Sequence, residues 1–382
     1  MSWRHIRINR AAGVPCESRR TSVRTIWPAA DGWSIEVIDQ TKLLHQFSTL
    51  SLTSLAEAAH AIRAMQVRGA PLIGVTAAYG VALAMREDAS DENLDRAVAL
   101  LGATRPTAVN LHWALGEMTA DLHNRERGAR VTAAYAKAAE LCEQDVLTNR
   151  AIGEHGFRLL QEAFARKGGS GPLKILTHCN AGWLACVDWG TALAPIYLAH
   201  DAGMPLQIWV DETRPRNQGA LTAWELKSHG VPHRVIVDNA GGHLMQSGEV
   251  DLCIVGTDRV AANGDVANKI GTYLKALAAK DNEIPFYVAL PGPTIDWALN
   301  SGDGIPIEQR DEDEVTSVTG RAVGGLLTSV SPYPIGTRAA NFGFDVTPAR
   351  LVTALITERG VAAASRQGLL SLYPEKAGAA TV

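Results

Sequence analysis

The sequence predicts an α/β protein. Its carboxyl-terminal half reads as a doubly wound, Rossmann-like parallel sheet, and its smaller amino-terminal half as helices with a short antiparallel sheet. Three observations carry this. From Lys174 onward, short runs rich in β-branched and aromatic residues alternate with helix-compatible stretches, the pattern of βαβ units with right-handed crossovers. The predicted strands (Lys174–Thr177, Gln207–Asp211, Arg234–Asp238, Leu252–Gly256 and Pro285–Leu290) run into polar or turn-forming residues, which places those residues at the carboxyl edge of a sheet. Before Pro172 the apolar residues recur mostly at helical spacing, after three short strand-like runs.

With 382 residues the chain has room for two domains, expected over residues 1–150 and 151–382. Residues 1–23 are polar, Arg-rich and unpatterned, an expected extension. Arg24–Trp27, Ser34–Asp39 and Leu44–Ser48 read as strands, with Asp31 and Gly32 turning between the first two. Ser54 and Glu57 form a capping box, and Leu55, Ala58, Ala59, Ile62 and Met65 follow at helical spacing. Arg68, Gly69, Ala70 and Pro71 precede a second helix, Leu72 to Met85. Glycine followed by proline suits a helix entrance. Its free N–H groups attract an anion and Arg68 adds charge, although an ordinary interhelical turn has the same pattern. Leu94–Leu101 and the stretch from Gly116 to Phe164 read as further helices, the last tying the halves together across the break at Lys167–Pro172. Between the later strands, helices are expected at Ala181–Ala199, Gln218–His229 and Val266–Ala279.

Composition narrows the function. The 36 basic and 40 acidic residues give a net charge of −4, so nothing electrostatic calls for nucleic acid or an anionic membrane. No apolar run approaches the ~20 residues of a membrane span, and the first residues lack the apolar core of a signal peptide. Cys16, Cys142, Cys179, Cys186 and Cys253 are scattered and form no CxxC pair, so a reduced, cytoplasmic protein is expected.

The strand ends carry the chemistry. Neither a G-x-G-x-x-G turn follows the strand at Lys174 nor does a Walker loop occur, which removes the main marker of nucleotide binding. Cys179 is expected near a helix N-terminus, which favours the thiolate. Burial by Trp183 and Leu184 would act oppositely, and an inert buried cysteine is the plain alternative. Asp258 follows an apolar strand, and desolvation raises a carboxyl towards the range useful to a general acid or base. A structural pairing with Arg259 or Lys269 is its alternative. Arg105, Asn268 and Lys269 are candidate contacts to a phosphate or a sugar hydroxyl. Asp211, Glu212 and Arg214 make a charge-dense strand end that suits a structural network. No histidine pair has metal-ligand spacing: His178 and His243 stand alone, and His229 and His233 flank a turn. Together these residues describe a crevice with a thiol, a carboxyl and cationic groups, suited to a phosphorylated polar ligand.

Several stretches taken together resemble the methylthioribose-1-phosphate isomerase family, whose relatives include ribose-1,5-bisphosphate isomerases and regulatory subunits of a translation-initiation exchange factor. They are Arg68–Gly74, Asn110–Leu115, Ile175–Gly182 (ILTHCNAG), Asp211–Pro215 (DETRP), Gly256–Val260 (GTDRV), Ala262–Tyr273, Ile305–Glu308 and Phe344–Pro348. The resemblance implies Cys179 and Asp258 as the catalytic pair, and Arg68, Gly69, Ala70, Arg105, Gln218, Asn268 and Lys269 as substrate-binding residues. It implies an aldose–ketose isomerase that converts 5-methylthioribose 1-phosphate to 5-methylthioribulose 1-phosphate in methionine salvage, with no metal or organic cofactor, acting as a homodimer. An isomerase of 5-deoxyribose 1-phosphate or ribose 1,5-bisphosphate is an alternative, and so is a non-catalytic sugar-phosphate or nucleotide sensor. One departure from the family pattern is a residue missing between Ala220 and Leu221, which bears on where Gln218 points.

Overall fold

The computed structural model describes residues 24–378, so the extension expected over residues 1–23 lies outside the described residues. The chain opens as an antiparallel meander of β1 (Ile26–Pro28), β2 (Ile35–Ile38) and β3 (Thr49–Leu52). The Asp31 turn closes because its Oδ1 accepts the N–H groups of Trp33 and Ser34, each at 2.9 Å. The third strand is a correction: it lies at Thr49–Leu52, not Leu44–Ser48. Asp39 accepts from the amide of Thr41 at 3.1 Å and from its hydroxyl at 2.6 Å, which turns the chain, and pairing resumes at Thr49 opposite Ile38.

Four helices follow: α1 (Leu55–Arg63), α2 (Ala70–Glu87), α3 (Asp91–Gly102) and α4 (Val109–Leu122). The capping box holds at α1, where Ser54 Oγ accepts from Glu57 N at 3.2 Å. Glu57 itself reaches back to Thr53 N at 2.6 Å, one residue further than the motif places it. α2 is apolar all round, and every residue from Leu72 to Met85 is buried, so it forms the centre of this half with the other helices wrapped around it. α5 (Arg127–Arg166) has 40 residues; at 1.5 Å per residue it is about 60 Å long. The apolar core it shares with α2 ends at Cys142, and a second core begins at Ile152.

The second half alternates as expected: β4 (Leu173–Thr177), α6 (Ala194–Asp201), β5 (Leu206–Asp211), α7 (Gln218–His229), β6 (His233–Ile236), α8 (Ala240–Gln246) and β7 (Leu252–Val255). After β8 (Arg259–Ala261), β9 (Val266–Lys269) and α9 (Thr272–Asp281) come β10 (Phe286–Ala289), β11 (Ile295–Asp296) and the short α10 (Asp313–Thr316). A hairpin of β12 (Val318–Arg321) and β13 (Leu327–Val330) has Val323 and Leu326 exposed at its turn, and Ile335 is exposed in the loop after it. The chain closes with β14 (Phe344–Thr347), β15 (Ala354–Thr357), β16 (Gly360–Ala362) and α11 (Arg366–Leu372).

The main sheet runs β16-β15-β10-β7-β4-β5-β6, and every neighbouring pair is parallel except β15 with β16. From β4 the chain first builds outwards through β5 and β6, then returns to lay β7 on the other side. That reversal opens a crevice beyond the carboxyl ends of β4 and β7. A second sheet, β11-β8-β9-β14, stands beside it, an addition to the sheets expected from the sequence.

Two expected helices are corrected. Ala181–Ala199 is a short 3₁₀ turn at Trp183–Ala185, an irregular loop, and then α6. Trp183 N donates to Glu225 Oε2 at 2.9 Å and Gly182 bridges to Gly190, so the backbone is pinned to α7 and folded on itself before Pro195 admits a helix. Val266–Ala279 begins as β9, since Val266–Lys269 pairs with β14, and becomes α9 only after Gly271 at φ 102°.

Candidate active site

Cys179 follows β4 with φ 66°, a left-handed conformation uncommon for a residue with a Cβ. It is held there by side chains from neighbouring elements. Its N–H donates to Thr213 Oγ1 at 2.9 Å, and its carbonyl accepts from Thr222 Oγ1 at 2.8 Å. The expectation that Cys179 sits at a helix N-terminus is corrected, because the chain leaves it through Asn180 into the loop before the 3₁₀ turn. No helix dipole therefore helps its thiolate. Burial pushes the thiol up, and Arg68 and Lys269 oppose that only in part.

Asp258 lies beyond β7, the neighbour of β4, with its N–H bonded to Ala267 O at 3.0 Å. Burial pushes its carboxyl above the ordinary value, against the pull of Lys269, Arg105 and Arg68; Glu308 adds to the rise. No described group hydrogen-bonds its carboxyl oxygens. Arg259, the pairing partner considered from the sequence, instead lies 3.5 Å from Asp296 and donates to Thr107 O.

The cationic side of the cleft is built from the amino-terminal half. Arg68 is buried and donates to Asn180 Oδ1 and, at 3.2 Å, to Asn180 O. Gly69 has φ 92°, and a Cβ there would lie 2.3 Å from Ala185 O, so only glycine fits. Directly after it α2 begins with Pro71 in its first turn and no side chain capping its free amides. Lys269, at the end of β9, is 7 % exposed, with Nζ 5.1 Å from the centre of the Phe344 ring. Burial lowers its pKa, while Cys179 and Asp258 support its charge. Arg105 reaches Glu308 at 3.8 Å, and Asn268 donates to Thr272 Oγ1 at 3.1 Å. Gln218 opens α7, is buried, and its Oε1 lacks a hydrogen-bond partner.

All nine residues singled out from the sequence (Cys179, Asp258, Arg68, Gly69, Ala70, Arg105, Gln218, Asn268 and Lys269) line this one cleft. The missing residue after Ala220 leaves Gln218 on its wall. The rest of the lining includes Met65, Ile73, Pro291, Ile305 and Pro306. A wider hollow of about 620 Å³ between α3 and α4 is lined by Val98, Leu115, Thr119 and their neighbours; His112 is its one titratable group.

Sequence reasoning missed the residues behind the wall. Glu225 is fully buried on α7, and accepts from Asn180 Nδ2 at 2.7 Å, Trp183 N at 2.9 Å and the Tyr197 hydroxyl at 2.8 Å. Burial pushes its carboxyl up to about 7. It fixes Asn180, which in turn holds Arg68. His178, read as isolated, is buried against Asp211 at 2.9 Å. Its place in the THCN run, beside Cys179, was the available signal. Among the described residues His178, Asp211 and Asp238 have ligand atoms close enough to share a cation. Most of this set is already engaged: Asp238 accepts from Thr213 N and Arg214 N at 2.7 and 2.8 Å, and the Lys275 ammonium lies 3.3 Å from Asp211 Oδ2, while Asp211 Oδ1 has no hydrogen-bond partner.

Residues 66–364 match the Initiation factor 2 subunit family. A protein of Rhodospirillum rubrum named methylthioribose-1-phosphate isomerase is 64% identical over 365 residues, which cover 94% of each chain. The crystal structure of 5-methylthioribose 1-phosphate isomerase from Pyrococcus horikoshii is similar with TM-score 0.78 and 37% identity, covering 92% of this chain and 96% of that one. A structure named translation initiation factor eIF-2B, subunit delta, from A. fulgidus has TM-score 0.76 and 37% identity, covering 92% and 100%.

Proposed function

The chain belongs to the Initiation factor 2 subunit family, and we propose from its cleft that, like the similar proteins named as isomerases and unlike the similar initiation-factor subunit, it converts 5-methylthioribose 1-phosphate to 5-methylthioribulose 1-phosphate, a step of methionine salvage. The observation that carries this reading is the cleft itself. A thiol and a carboxyl from adjacent strand ends, Cys179 and Asp258, open onto the same space as Arg68, Lys269 and the uncapped start of α2. A sensor needs the cationic groups but not the thiol and the acid.

Cys179 and Asp258 form the catalytic pair. The phosphate lies at the α2 entrance, held by the amides after Gly69 and Ala70, by Arg68, and by Lys269 and Arg105. Asn268 and Gln218 take sugar hydroxyls. The phosphate on the C1 oxygen blocks the ordinary opening of a free hemiacetal, so the ring oxygen must be protonated for its bond to C1 to break. Asp258, whose protonated form burial favours, supplies that proton, and the ring oxygen leaves with the bonding electrons as the C4 hydroxyl. The hydrogen on C2 then moves with its bonding pair to the electron-deficient C1. Asp258 recovers a proton from the C2 hydroxyl as that carbon becomes the ketone, so the acid ends as it began. Cys179, kept as the thiol by burial, flanks the C1–C2 edge and stabilises the transition state of the shift. No metal or organic cofactor enters these steps.

The apolar lining at Met65, Ile73, Pro291, Ile305 and Pro306 suits a methylthio group better than a second phosphate, which supports methylthioribose 1-phosphate over ribose 1,5-bisphosphate. The division into residues 1–150 and 151–382, a homodimer and a cytoplasmic location belong to the same proposal. The change of core between Cys142 and Ile152 supports the first, and exposed Val323, Leu326 and Ile335 support the second. Incubating the protein with methylthioribose 1-phosphate, 5-deoxyribose 1-phosphate and ribose 1,5-bisphosphate, and following the ketose carbon by ¹³C NMR, tests the substrate. Methylthioribulose 1-phosphate should form fastest; binding of all three without a ketone would favour the sensor.

A further inference from the structure

His178 borders the cleft with no part in the chemistry proposed above, and its side chain is fully buried between the turn that carries Cys179 and the turn after Lys269. Its Nε2 lies 2.8 Å from the carbonyl of Ile270, the residue after Lys269. Its Nδ1 lies 2.9 Å from Asp211 Oδ2. A carbonyl oxygen can only accept, so Nε2 carries a hydrogen; the contact with the Asp211 carboxyl holds a second proton. The turn after Lys269 is pressed onto the ring, since a Cβ on Gly271 would sit 3.1 Å from His178 Cε1. The same turn is tied on its far side by Asp345, which accepts from Gly271 N at 2.7 Å and Tyr273 N at 3.1 Å. Asp211 also holds Lys275 of α9, 3.3 Å away.

We propose that His178 is a positioning residue that fixes the spacing between the Cys179 sulfur and the Lys269 ammonium, by hydrogen-bonding the turn after Lys269 from the position just before Cys179. The proposal rests on the roles given to Cys179 and Lys269 above. Its physical need is plain. Cys179 lies in a left-handed backbone outside any helix, and Lys269 ends a four-residue strand, so neither is rigid on its own. A misplacement of about 1 Å in such a site costs roughly 100-fold in rate.

The test is His178→Ala, with and without added imidazole, read by peptide-resolved mass spectrometry of Cys179 alkylation by iodoacetamide at one fixed pH. Protection of Cys179 by inorganic phosphate is measured alongside. With Lys269 released, alkylation should slow about tenfold, because the ammonium that supports the thiolate no longer holds its place. Protection should need more phosphate. Imidazole, which can bond at both nitrogens, should restore both readouts, and 1-methylimidazole should restore neither. Unchanged alkylation and protection in a folded variant, failure of imidazole to restore them, or equal recovery with 1-methylimidazole would each overturn the proposal. If the variant does not fold, ¹⁵N NMR of the unsubstituted protein decides, because His178 must carry a hydrogen at Nε2, towards the Ile270 carbonyl, and a bare Nε2 refutes it. None of these readouts uses sugar turnover, so a failure of the substrate assignment would be seen separately, as an absence of ketose from the unsubstituted protein.

Discussion

At the scale of single residues, burial favours the protonated form of both Cys179 and Asp258. The carboxyl of Asp258 is raised by desolvation, against three nearby cations. As a general acid it should work fully at pH below its folded value and fail as pH rises through that value, so a kcat profile should show its descending limb above the range of an ordinary aspartate. Asp258→Asn should lower kcat by roughly 1,000-fold with KM changed only a few-fold, since such groups contribute about 10²- to 10⁴-fold. Steady-state kinetics on folded variant, checked by circular dichroism, measures this. The sequence made Cys179 and Asp258 legible because each follows an apolar strand in a polar run. It did not make Glu225 legible. Glu225 sits on a helix among residues of ordinary helical composition, and only the packing of α7 under Gly182, where a Cβ would lie 1.9 Å from Glu225 Oε2, reveals what it holds.

At the scale of elements, the start of α2 and the crossing of α5 set where the cleft lies. Gly69 has a positive φ and contacts the backbone of Ala185, so Gly69→Ala combines strain with a clash. It should cost about 2–3 kcal/mol of stability by urea denaturation. It should also weaken inorganic phosphate binding in calorimetry, since the amides it orients are displaced. Gly156 of α5 lies against α6, where a Cβ would come within 2.3 Å of Pro195 Cγ. Gly156→Ala should cost about 1–3 kcal/mol as well, but with phosphate affinity unchanged, because that contact is far along the chain from α2. The parallel strands and most helices could be read from periodicity, and the capping box marked α1. The second sheet could not. β8, β9, β11 and β14 are two to four residues long, and β9 has a helix-like pattern because only Ile270 and Gly271 separate its four residues from α9. Long-range pairing, which local pattern does not encode, decided it.

At the scale of the whole molecule, buried carboxyls set the pH dependence of stability. Glu225 and Asp145 are both pushed up to about 7 by burial. A carboxyl whose folded pKa exceeds its unfolded value binds a proton more tightly in the fold. Its contribution is therefore most favourable below the unfolded value and is lost as pH rises through the folded one. For Glu225 that window runs from 4.5 to about 7, and corresponds to about 3 kcal/mol. Urea midpoints should fall between those limits, and Glu225→Gln should flatten the fall; an equal fall in both proteins would contradict the assignment. The reversal of strand order between β4 and β7 brings the ends of both strands to the cleft that the amino-terminal half closes with Arg68 and α2. The central claim is that one sugar phosphate spans that cleft, and the most direct measurement is a crystal structure of Asp258→Asn with methylthioribose 1-phosphate bound. The account predicts the phosphate at the α2 entrance beside Arg68 and Lys269, with the C1–C2 edge between the Cys179 sulfur and the substituted side chain. A sugar bound with C1 and C2 turned away from Cys179, or a phosphate bound outside this cleft, would contradict it.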